Sequence, residues 1–299
     1  MKNFDYLRPA SLDEALDLLA EHGPRANLVA GGTDVLVEAR KGGLEAEVLV
    51  SLTRLEDLRY IREDRDSVAI GGLTTLRDLE QSELIAAGWP ALSEAVKNMA
   101  SVQIRNRATM AGNVVNAAPS ADTAPPLLVS EARARLVSKA GQRLVPLTEF
   151  FVGPKATVIA PGEVLTEFVL PRPAEAYSQA FYKHSRRRAM DLAMINAAVH
   201  LELEPDLATC REARIALGVA APTPIRTPEA EARLKGQKVT AEILDRIGDA
   251  SCQESACRDS LRGQAWYRQE MIRVTVRRLG LLALERARAK VDGRRGGRG

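Results

Sequence analysis

The chain is organised around the sequence LVAGGTDV at residues 28–35. A short apolar run ends in Gly31 and Gly32, and an apolar pattern typical of a helix follows it. Two adjacent glycines allow positive φ and close approach of the backbone to a ligand, because no Cβ stands in the way. Thr33 occupies the position of a helix N-cap, so we predict a strand, a tight turn and a helix over residues 34–41. Such a turn either binds an anion or simply reverses the chain, and these residues leave both interpretations open.

The flanks of this turn predict a small βαβ-like unit. Ser11 and Glu14 form a capping box for a helix that ends before Gly23. Strands are predicted over residues 27–30 and 47–52. A unit of about fifty residues is consistent with one supersecondary module.

A similar pattern of strand, glycines, threonines and helix recurs in the next part of the chain, at residues 67–81. Gly71 and Gly72 end an apolar strand, and Thr74 and Thr75 precede a short helix. Here a left-handed turn followed by an N-cap accounts for the residues.

Residues 101–128, SVQIRNRATMAGNVVNAAPSADTAPPLL, form the densest polar stretch and show little helical periodicity before Asp122. Small residues let a backbone lie against a ligand, and Thr, Asn and Asp supply donors and acceptors for phosphate and sugar oxygens. We expect Asp122 to be the N-cap of a helix that starts at the following prolines. Met99 ends a predicted helix from Pro90, and we interpret it as apolar filling that can also line a pocket. A long polar loop inside a compact domain is uncommon unless it binds something.

The sequence Pro171-Arg172-Pro173-Ala174 is the clearest domain boundary, because proline stops regular strand pairing. The tail DGRRGGRG is of low complexity and is predicted to be disordered. Between the boundary and the tail, strands are predicted over residues 178–183, 193–204 and 212–219, and helices over residues 228–234, 241–257 and 264–288.

The basic cluster KHSRRR at residues 183–188 has two parts. Arg186, Arg187 and Arg188 are interpreted as a solvated turn, since charge runs usually lie on the surface. Lys183 follows Phe181 and Tyr182 in a predicted strand, and strand alternation can turn its side chain inward.

Composition excludes several classes of protein. The 299 residues carry 42 Lys and Arg against 39 Asp and Glu, a net charge of +3, which argues against a nucleic-acid surface. Three cysteines, Cys210, Cys252 and Cys257, form no metal-binding spacing and fit a reducing compartment. No apolar run reaches the ~18 residues of a membrane span, and the N-terminus lacks the apolar core of a signal peptide. We therefore expect a cytoplasmic protein with no membrane or nucleic-acid partner, no metal site and no catalytic constellation.

Four stretches together resemble the FAD-binding medium subunit of the molybdenum hydroxylases, the family of xanthine dehydrogenase and carbon monoxide dehydrogenase. The likeness is nearest to the separate FAD-binding subunit of xanthine dehydrogenase-type enzymes and covers about residues 1–288. The four stretches are AGGTDV at 30–35, QIRNRATMAGNVVNAAPSADTAPPLL at 103–128, FYKHSRRRAMD at 181–191 and GVAAPTPIR at 218–226.

This resemblance implies an α+β chain. A two-part FAD-binding domain of the p-cresol methylhydroxylase type is expected at residues 1–173, with lobes at 1–54 and 55–173. A C-terminal α/β domain is expected at residues 174–290, followed by a disordered basic tail at residues 291–299.

The resemblance also implies which residues bind FAD. Asp122 is expected on the ribose or adenine side, Leu165 and Lys183 near the flavin ring, and Met99 in the lining of the flavin pocket. Main-chain N–H groups of two stretches are expected to hold the diphosphate, namely Leu28, Val29, Ala30, Gly31, Gly32, Thr33, Asp34 and Val35 on one side, and Thr109, Met110, Ala111, Gly112 and Asn113 on the other.

Ala111 departs from the Gly-Gly-Asn pattern usual in this family. If the position needs positive φ, alanine costs about 1 kcal/mol and loosens the loop. If φ is negative, the change is mild.

For chemistry, the resemblance implies that a partner subunit oxidises the substrate. The expected partners are a large molybdopterin subunit and a small iron–sulfur subunit with two [2Fe-2S] clusters, assembled as a dimer of heterotrimers. FAD in this chain would collect their electrons and pass them to NAD, a quinone or another acceptor. One alternative is a stand-alone FAD-dependent reductase of the UDP-N-acetylenolpyruvoylglucosamine reductase type. The other is a nucleic-acid-binding module based on the arginine cluster and the tail.

Overall fold

The computed structural model describes residues 3–296, with side chains described up to residue 292. The helices are α1 (Leu12–His22), α2 (Val35–Arg40), α3 (Leu76–Gln81), α4 (Glu83–Gly88), α5 (Pro90–Lys97), α6 (Val102–Arg105), α7 (Met110–Val115), α8 (Ala124–Val129), α9 (Pro228–Leu234), α10 (Ala241–Gln253) and α11 (Ala265–Gly296). The strands are β1 (Asp5–Leu7), β2 (Ala26–Val29), β3 (Val48–Ser51), β4 (Ile61–Glu63), β5 (Ser67–Gly71), β6 (Arg133–Ser138), β7 (Gly141–Pro146), β8 (Phe151–Gly153), β9 (Ala156–Thr157), β10 (Val164–Pro171), β11 (Tyr177–His184), β12 (Ile195–Leu203), β13 (Cys210–Gly218) and β14 (Ile225–Arg226).

The chain forms two compact units that interleave along the sequence. The first comprises residues up to 81, 101–117 and 132–171, and the second comprises residues 82–100, 118–131 and those from 172 onward. The switch at residue 172 lies close to the boundary expected from the prolines. The two earlier segments belong to the second unit because α5 packs on β11, and α8 packs on β12 and β13.

The first unit opens with a three-stranded parallel sheet in the order β1-β3-β2. β2, α2 and β3 form the βαβ connection that the sequence predicts. Helix α1 buries Ala15, Leu16 and Leu19 in the core of this sheet. Half of its capping box is confirmed, since Ser11 Oγ accepts from the Glu14 N–H at 3.1 Å. The Glu14 carboxylate accepts from the Ala10 N–H at 2.6 Å, one residue before the N-cap.

A five-stranded antiparallel sheet completes the first unit, in the order β4-β5-β10-β6-β7. Phe168 of β10 and Ile70 of β5 are paired and fully buried at its centre. A small hairpin of β8 and β9 follows β7.

The sheet of the second unit is antiparallel throughout, in the order β11-β12-β13-β14. Buried side chains of α10 and α11 share a core with those of β12 and β13, including Ile247, Ile272, Val199 and Ile215. Helix α11 continues to Gly296, so the disordered tail expected from residue 291 is wrong for residues 291–296. Adding a residue to an existing helix is far easier than starting one, which explains the extension. Residues 297–299 lie outside the described residues.

Residues 101–128 are more helical than their sequence predicts, since α6, α7 and the start of α8 lie within them. Helices of one or two turns are too short to show apolar periodicity, and for this reason the pattern does not reveal them. Asp122 is not the N-cap of α8, because the helix begins one residue later with Thr123 in that position. The carboxyl of Asp122 instead bonds to side chains of the sheet.

Two further local predictions are wrong. Asp34 and not Thr33 is the N-cap of α2, because the Leu36 N–H already donates to Gly32 O at 3.2 Å and the helix grows directly out of the turn. Gly71 and Gly72 are not in a left-handed turn, since neither has positive φ. The predicted N-cap is confirmed, and of the two threonines it is Thr75, whose Oγ1 accepts from the Asp78 N–H.

Candidate functional site

The first glycine turn (residues 30–34) lies directly against residues 107 and 108, the segment that precedes α7. A Cβ on Gly31 would overlap the carbonyl oxygen of Arg107, so only glycine fits this close approach. Gly32 has φ of +77°, the left-handed region that glycine tolerates without strain. Each of the two positions therefore requires glycine for a different reason, a close backbone contact at residue 31 and a positive φ at residue 32.

The second glycine turn (residues 71–75) is hydrogen-bonded to the same segment before α7. Thr75 and Thr109 form an antiparallel bridge. The Leu76 N–H donates to Ala108 O at 2.9 Å, and the Met110 N–H donates to Thr74 O at 3.1 Å. The first unit thus gathers three segments, the two glycine turns and residues 107–110, which we call the three-loop cluster.

Side chains behind the three-loop cluster hold it in place. The guanidinium of Arg105 is buried and donates through Nε and Nη2 to the two oxygens of Glu80, both at 2.9 Å. Gly72 approaches β10 so closely that a Cβ there would lie 2.6 Å from Leu165 O. Leu165 itself is buried in β10 and belongs to the same unit as the cluster.

The residues expected to hold the diphosphate lie at the end of a strand, in a turn, at a helix N-cap and in the first turns of helices α2 and α7. Leu28 and Val29 end β2, the residues up to Asp34 form the turn, and Val35 begins α2. Thr109 is the N-cap of α7, and the Gly112 N–H donates to its Oγ1 at 3.1 Å. Met110, Ala111, Gly112 and Asn113 form the first turn of that helix.

Ala111 is buried within α7 and is not among the residues with positive φ. Its departure from the family pattern is therefore the mild case: alanine is a good helix former and needs no strain here. Met99, in the second unit, is buried just after α5. This agrees with its interpretation as apolar filling.

The second unit contains a buried polar group of three residues, Asp122, Lys183 and Asn196, which we call the acid–lysine cluster. Lys183 Nζ donates to Asp122 Oδ2 at 2.6 Å, and Asn196 Nδ2 donates to Asp122 Oδ1 at 2.8 Å. The side chains of Lys183 and Asp122 are each 7% exposed, and Asn196 is fully buried. The structure thus turns Lys183 inward, as strand alternation predicts.

The neighbours of Lys183 behave differently. Arg186, Arg187 and Arg188 are exposed in the connection between β11 and β12, as the charge pattern predicts. Asp191 accepts from the Arg186 and Arg187 N–H groups and so closes this turn.

Burial raises the pKa of the Asp122 carboxyl, and the ammonium of Lys183 offsets part of that rise. An ion pair held inside a protein is stabilised chiefly by its hydrogen bonds, and removing one partner leaves an uncompensated charge. In this cluster one acceptor, Asp122, is therefore held by two donors, Lys183 and Asn196.

These residues fit a flavin dinucleotide in two respects. The turn at residues 31–33 is partly exposed and is built on glycines, and a backbone of this kind can offer N–H groups to a diphosphate. The acid–lysine cluster offers a carboxylate next to an ammonium, which suits a ligand that donates and accepts side by side.

Sequence reasoning missed Asn196. A single amide within the apolar strand INAAV was the available signal, because a buried polar side chain needs a partner. Among residues 3–292, no group of three or more His, Cys, Asp or Glu side chains could hold a metal ion. Over the same part of the chain, no helix has the length and apolar character of a membrane span.

Two family models match the chain. "FAD binding domain in molybdopterin dehydrogenase" matches residues 2–173, and "CO dehydrogenase flavoprotein C-terminal domain" matches residues 180–283. The first model also spans residues 82–100 and 118–131, which fold with the second unit.

Individual proteins match along nearly their whole length. The xanthine dehydrogenase FAD-binding subunit of Escherichia coli O157:H7 is 36% identical over 289 residues, which is 96% of this chain and 98% of that protein. The carbon monoxide dehydrogenase medium chain of Hydrogenophaga pseudoflava is 34% identical over 275 residues, 92% of this chain and 95% of that one. A solved structure of carbon monoxide dehydrogenase from the same organism superposes with a TM-score of 0.90 and 34% identity, covering 97% of this chain and 98% of the other.

Proposed function

This chain belongs to the family of FAD-binding subunits of the molybdenum-containing dehydrogenases, and we propose that it carries electrons from partner subunits to an external acceptor. The family match over both units is the observation that supports this most strongly. A stand-alone reductase of the UDP-N-acetylenolpyruvoylglucosamine reductase type would not account for the match at residues 180–283.

The three-loop cluster is the proposed binding site of the FAD diphosphate. Gly31, Gly32 and Thr33 of the first turn are partly exposed, Gly31 lets the turn lie against residue 107, and Thr109 fixes the start of α7. When bound, FAD supplies the redox chemistry, accepting and releasing one or two electrons. The chain's own residues bind and orient it.

The acid–lysine cluster is proposed to contact the flavin ring. Asp122 and Lys183 are bonded to each other at 2.6 Å, so they must serve the same part of a ligand. We therefore place Asp122 with Lys183 at the ring, and not at the ribose or adenine where the family resemblance alone puts it. A positive charge near the ring is one means by which a protein tunes flavin electronics.

The proposed partners are a large molybdopterin subunit and a small iron–sulfur subunit. Support comes from the names of the relatives, which are medium chains or FAD-binding subunits of larger dehydrogenases. A dimer of heterotrimers is the assembly we propose. The three cysteines are free thiols, which supports a reducing compartment such as the cytoplasm.

Flavin content and electron transfer test the proposal. The full chain should purify yellow, with FAD released on denaturation, and should be reduced anaerobically by NADH or by a quinol if either is its acceptor couple. Tagged chain expressed in its source organism should co-purify with subunits that contain molybdenum and iron. A chain that neither retains nor rebinds FAD would contradict the proposal.

A further inference from the structure

Asn196 lies at the centre of a row of three residues across the sheet of the second unit. It is opposite Lys183 of β11 on one side and opposite Gly218 of β13 on the other. Its Nδ2 holds Asp122 Oδ1, while Lys183 Nζ holds Asp122 Oδ2. Two neighbours in one row therefore each hold one oxygen of the same carboxylate.

The amide of Asn196 has one usable orientation. An ionised carboxylate only accepts hydrogen bonds, so Nδ2 has to face Asp122 and Oδ1 has to point away from it. Asn196 Oδ1 is buried and has no hydrogen-bond partner among the described residues. It fills the space that a Cβ on Gly218 would occupy. Glycine at 218 therefore makes room for the amide that holds Asp122.

The residue after Gly218 fixes the loop that carries Asp122. Val219 has φ of +63°, a left-handed conformation that is strained for a β-branched residue. In this conformation its N–H donates to Pro119 O at 2.9 Å. The strand end at residues 218–219 thus holds residue 119 through the backbone and residue 122 through Asn196.

We propose that Asn196 is a positioning residue that presents Asp122 to the flavin, with Gly218 and Val219 keeping the amide and the loop in place. The proposal rests on the proposed function, because it assumes that Asp122 contacts FAD. It also gives a role to GVAAPTPIR, a motif with no expected FAD contact of its own.

The variant that tests this role most directly is Asn196→Asp. It keeps the shape of the side chain and replaces the Nδ2 donor by a carboxyl oxygen. The charged groups next to this position are Asp122 in the loop and Lys183 on β11, while β13 presents Gly218. Two adjacent carboxyls share a proton at low pH, and the protonated one can donate as the amide does. We expect FAD affinity within about threefold of wild type at a pH of about 5.5, and at least about tenfold weaker at a pH of about 8.5.

Affinity is measured by titrating the flavin-stripped full chain with FAD and following fluorescence quenching. Asn196→Ala should bind FAD at least about tenfold more weakly at both pH values, since it can never donate. Ser251→Ala, which removes a buried hydroxyl elsewhere in the same unit, is the matched control and should bind as wild type. If the deficit of Asn196→Asp relative to wild type is the same at both pH values, the positioning role is wrong.

Gly218→Ala tests the space requirement. The added methyl would displace the Asn196 amide, so we expect FAD binding at least about tenfold weaker, whereas Gly88→Ala adds a methyl in open space and should have no effect. In the Asn196→Ala background the displaced amide is gone, while the added methyl still lies 3.2 Å from Pro119 O, so Gly218→Ala should weaken FAD binding by a smaller factor than in the wild-type chain. If the losses of FAD affinity in the two single variants multiply in the double variant, Gly218 does not act through the Asn196 amide.

The wild-type titration separates the two proposals. If wild type binds no FAD, the proposed function fails. If wild type binds FAD and the variants do not show the expected pattern, only the positioning role fails.

Discussion

The carbonyl oxygen of Arg107 occupies the place that a Cβ of Gly31 would take. This contact joins the first glycine turn to the segment that leads into α7. Two stretches that lie about 75 residues apart in the sequence, AGGTDV and ATMAGN, are thereby brought together.

Gly31→Ala should therefore separate the two segments. We expect a loss of about 1–3 kcal/mol in the free energy of unfolding, as is typical of overpacking, and FAD binding at least about tenfold weaker. Gly153→Ala is the control in the same unit, because its methyl would meet only ordinary contacts. The measurements are chemical denaturation and FAD titration, and wild-type FAD affinity in Gly31→Ala would refute the assignment.

Gly32→Val has a control with the same backbone conformation. Gly32 and Gly42 have φ of +77° and +78°, so valine at either position is strained by about 1–2 kcal/mol. Gly32 lies in the proposed diphosphate loop, and Gly42 follows α2 in open space. We expect both variants to fold and only Gly32→Val to lose bound flavin, as read from the absorption of the purified chain. Equal flavin content in the two variants would argue against this loop.

Much of the fold was predictable because local signals agreed with it. The capping box at Ser11, the glycine turn after β2 and the helix α9 are each specified by a few neighbouring residues. The short helices α6 and α7 could not be predicted in this way, because the bridge to Thr75 and other long-range contacts hold them and they have no apolar periodicity of their own.

The candidate site was predictable only in part, because it too depends on contacts between residues far apart in the sequence. Lys183 could be placed inward from strand alternation, but its bond to Asp122 joins residues 61 positions apart. Asn196 was missed because its partner and the glycine that accommodates it become neighbours only when the sheet forms.

Ala111→Gly should not improve FAD binding. Ala111 lies in the first turn of α7 without positive φ, so glycine removes no strain. We expect a loss of about 0.5–1 kcal/mol in the free energy of unfolding, from the lower helix propensity of glycine, and FAD affinity within about twofold of wild type. A marked gain in affinity would show that the alanine does loosen the loop.

Lys183→Met should change the flavin itself. If Lys183 lies at the flavin ring as proposed, removing its positive charge disfavours the reduced anionic flavin, so we expect a lower midpoint potential and a shifted absorption spectrum in the full chain. The variant also leaves Asp122 buried without its cation, which destabilises the fold by about 3–5 kcal/mol. Asp122→Asn combined with Lys183→Met removes both charges and should recover most of that stability. An unchanged potential and spectrum in a flavin-loaded variant would place the cluster away from the ring.

Stability at acidic pH should depend on His200, which is buried in β12. Burial lowers the pKa of His200 to about 4, while its bond to Glu202 acts in the opposite direction. The same bond lowers the pKa of Glu202 to about 2. Because His200 stays neutral in the folded chain and takes up a proton near its ordinary pKa when unfolded, acid favours the unfolded state.

The free energy of unfolding should thus fall as the pH drops from about 6.5 to about 4, by an amount on the order of 3 kcal/mol from His200 alone. Glu202 should add a further loss below a pH of about 4.5, since its stabilising charge is lost on protonation. His200→Gln, followed by urea denaturation across this range, should remove the first part of the slope and weaken the second, because the bond from His200 is the largest cause of the lowered pKa of Glu202 while Arg211 and Arg214 remain. His22→Gln on α1 serves as the control and should keep both. If His200→Gln follows the wild-type curve between pH 6.5 and 4, another group governs acid stability, because His200 is then not the residue that takes up the proton on unfolding.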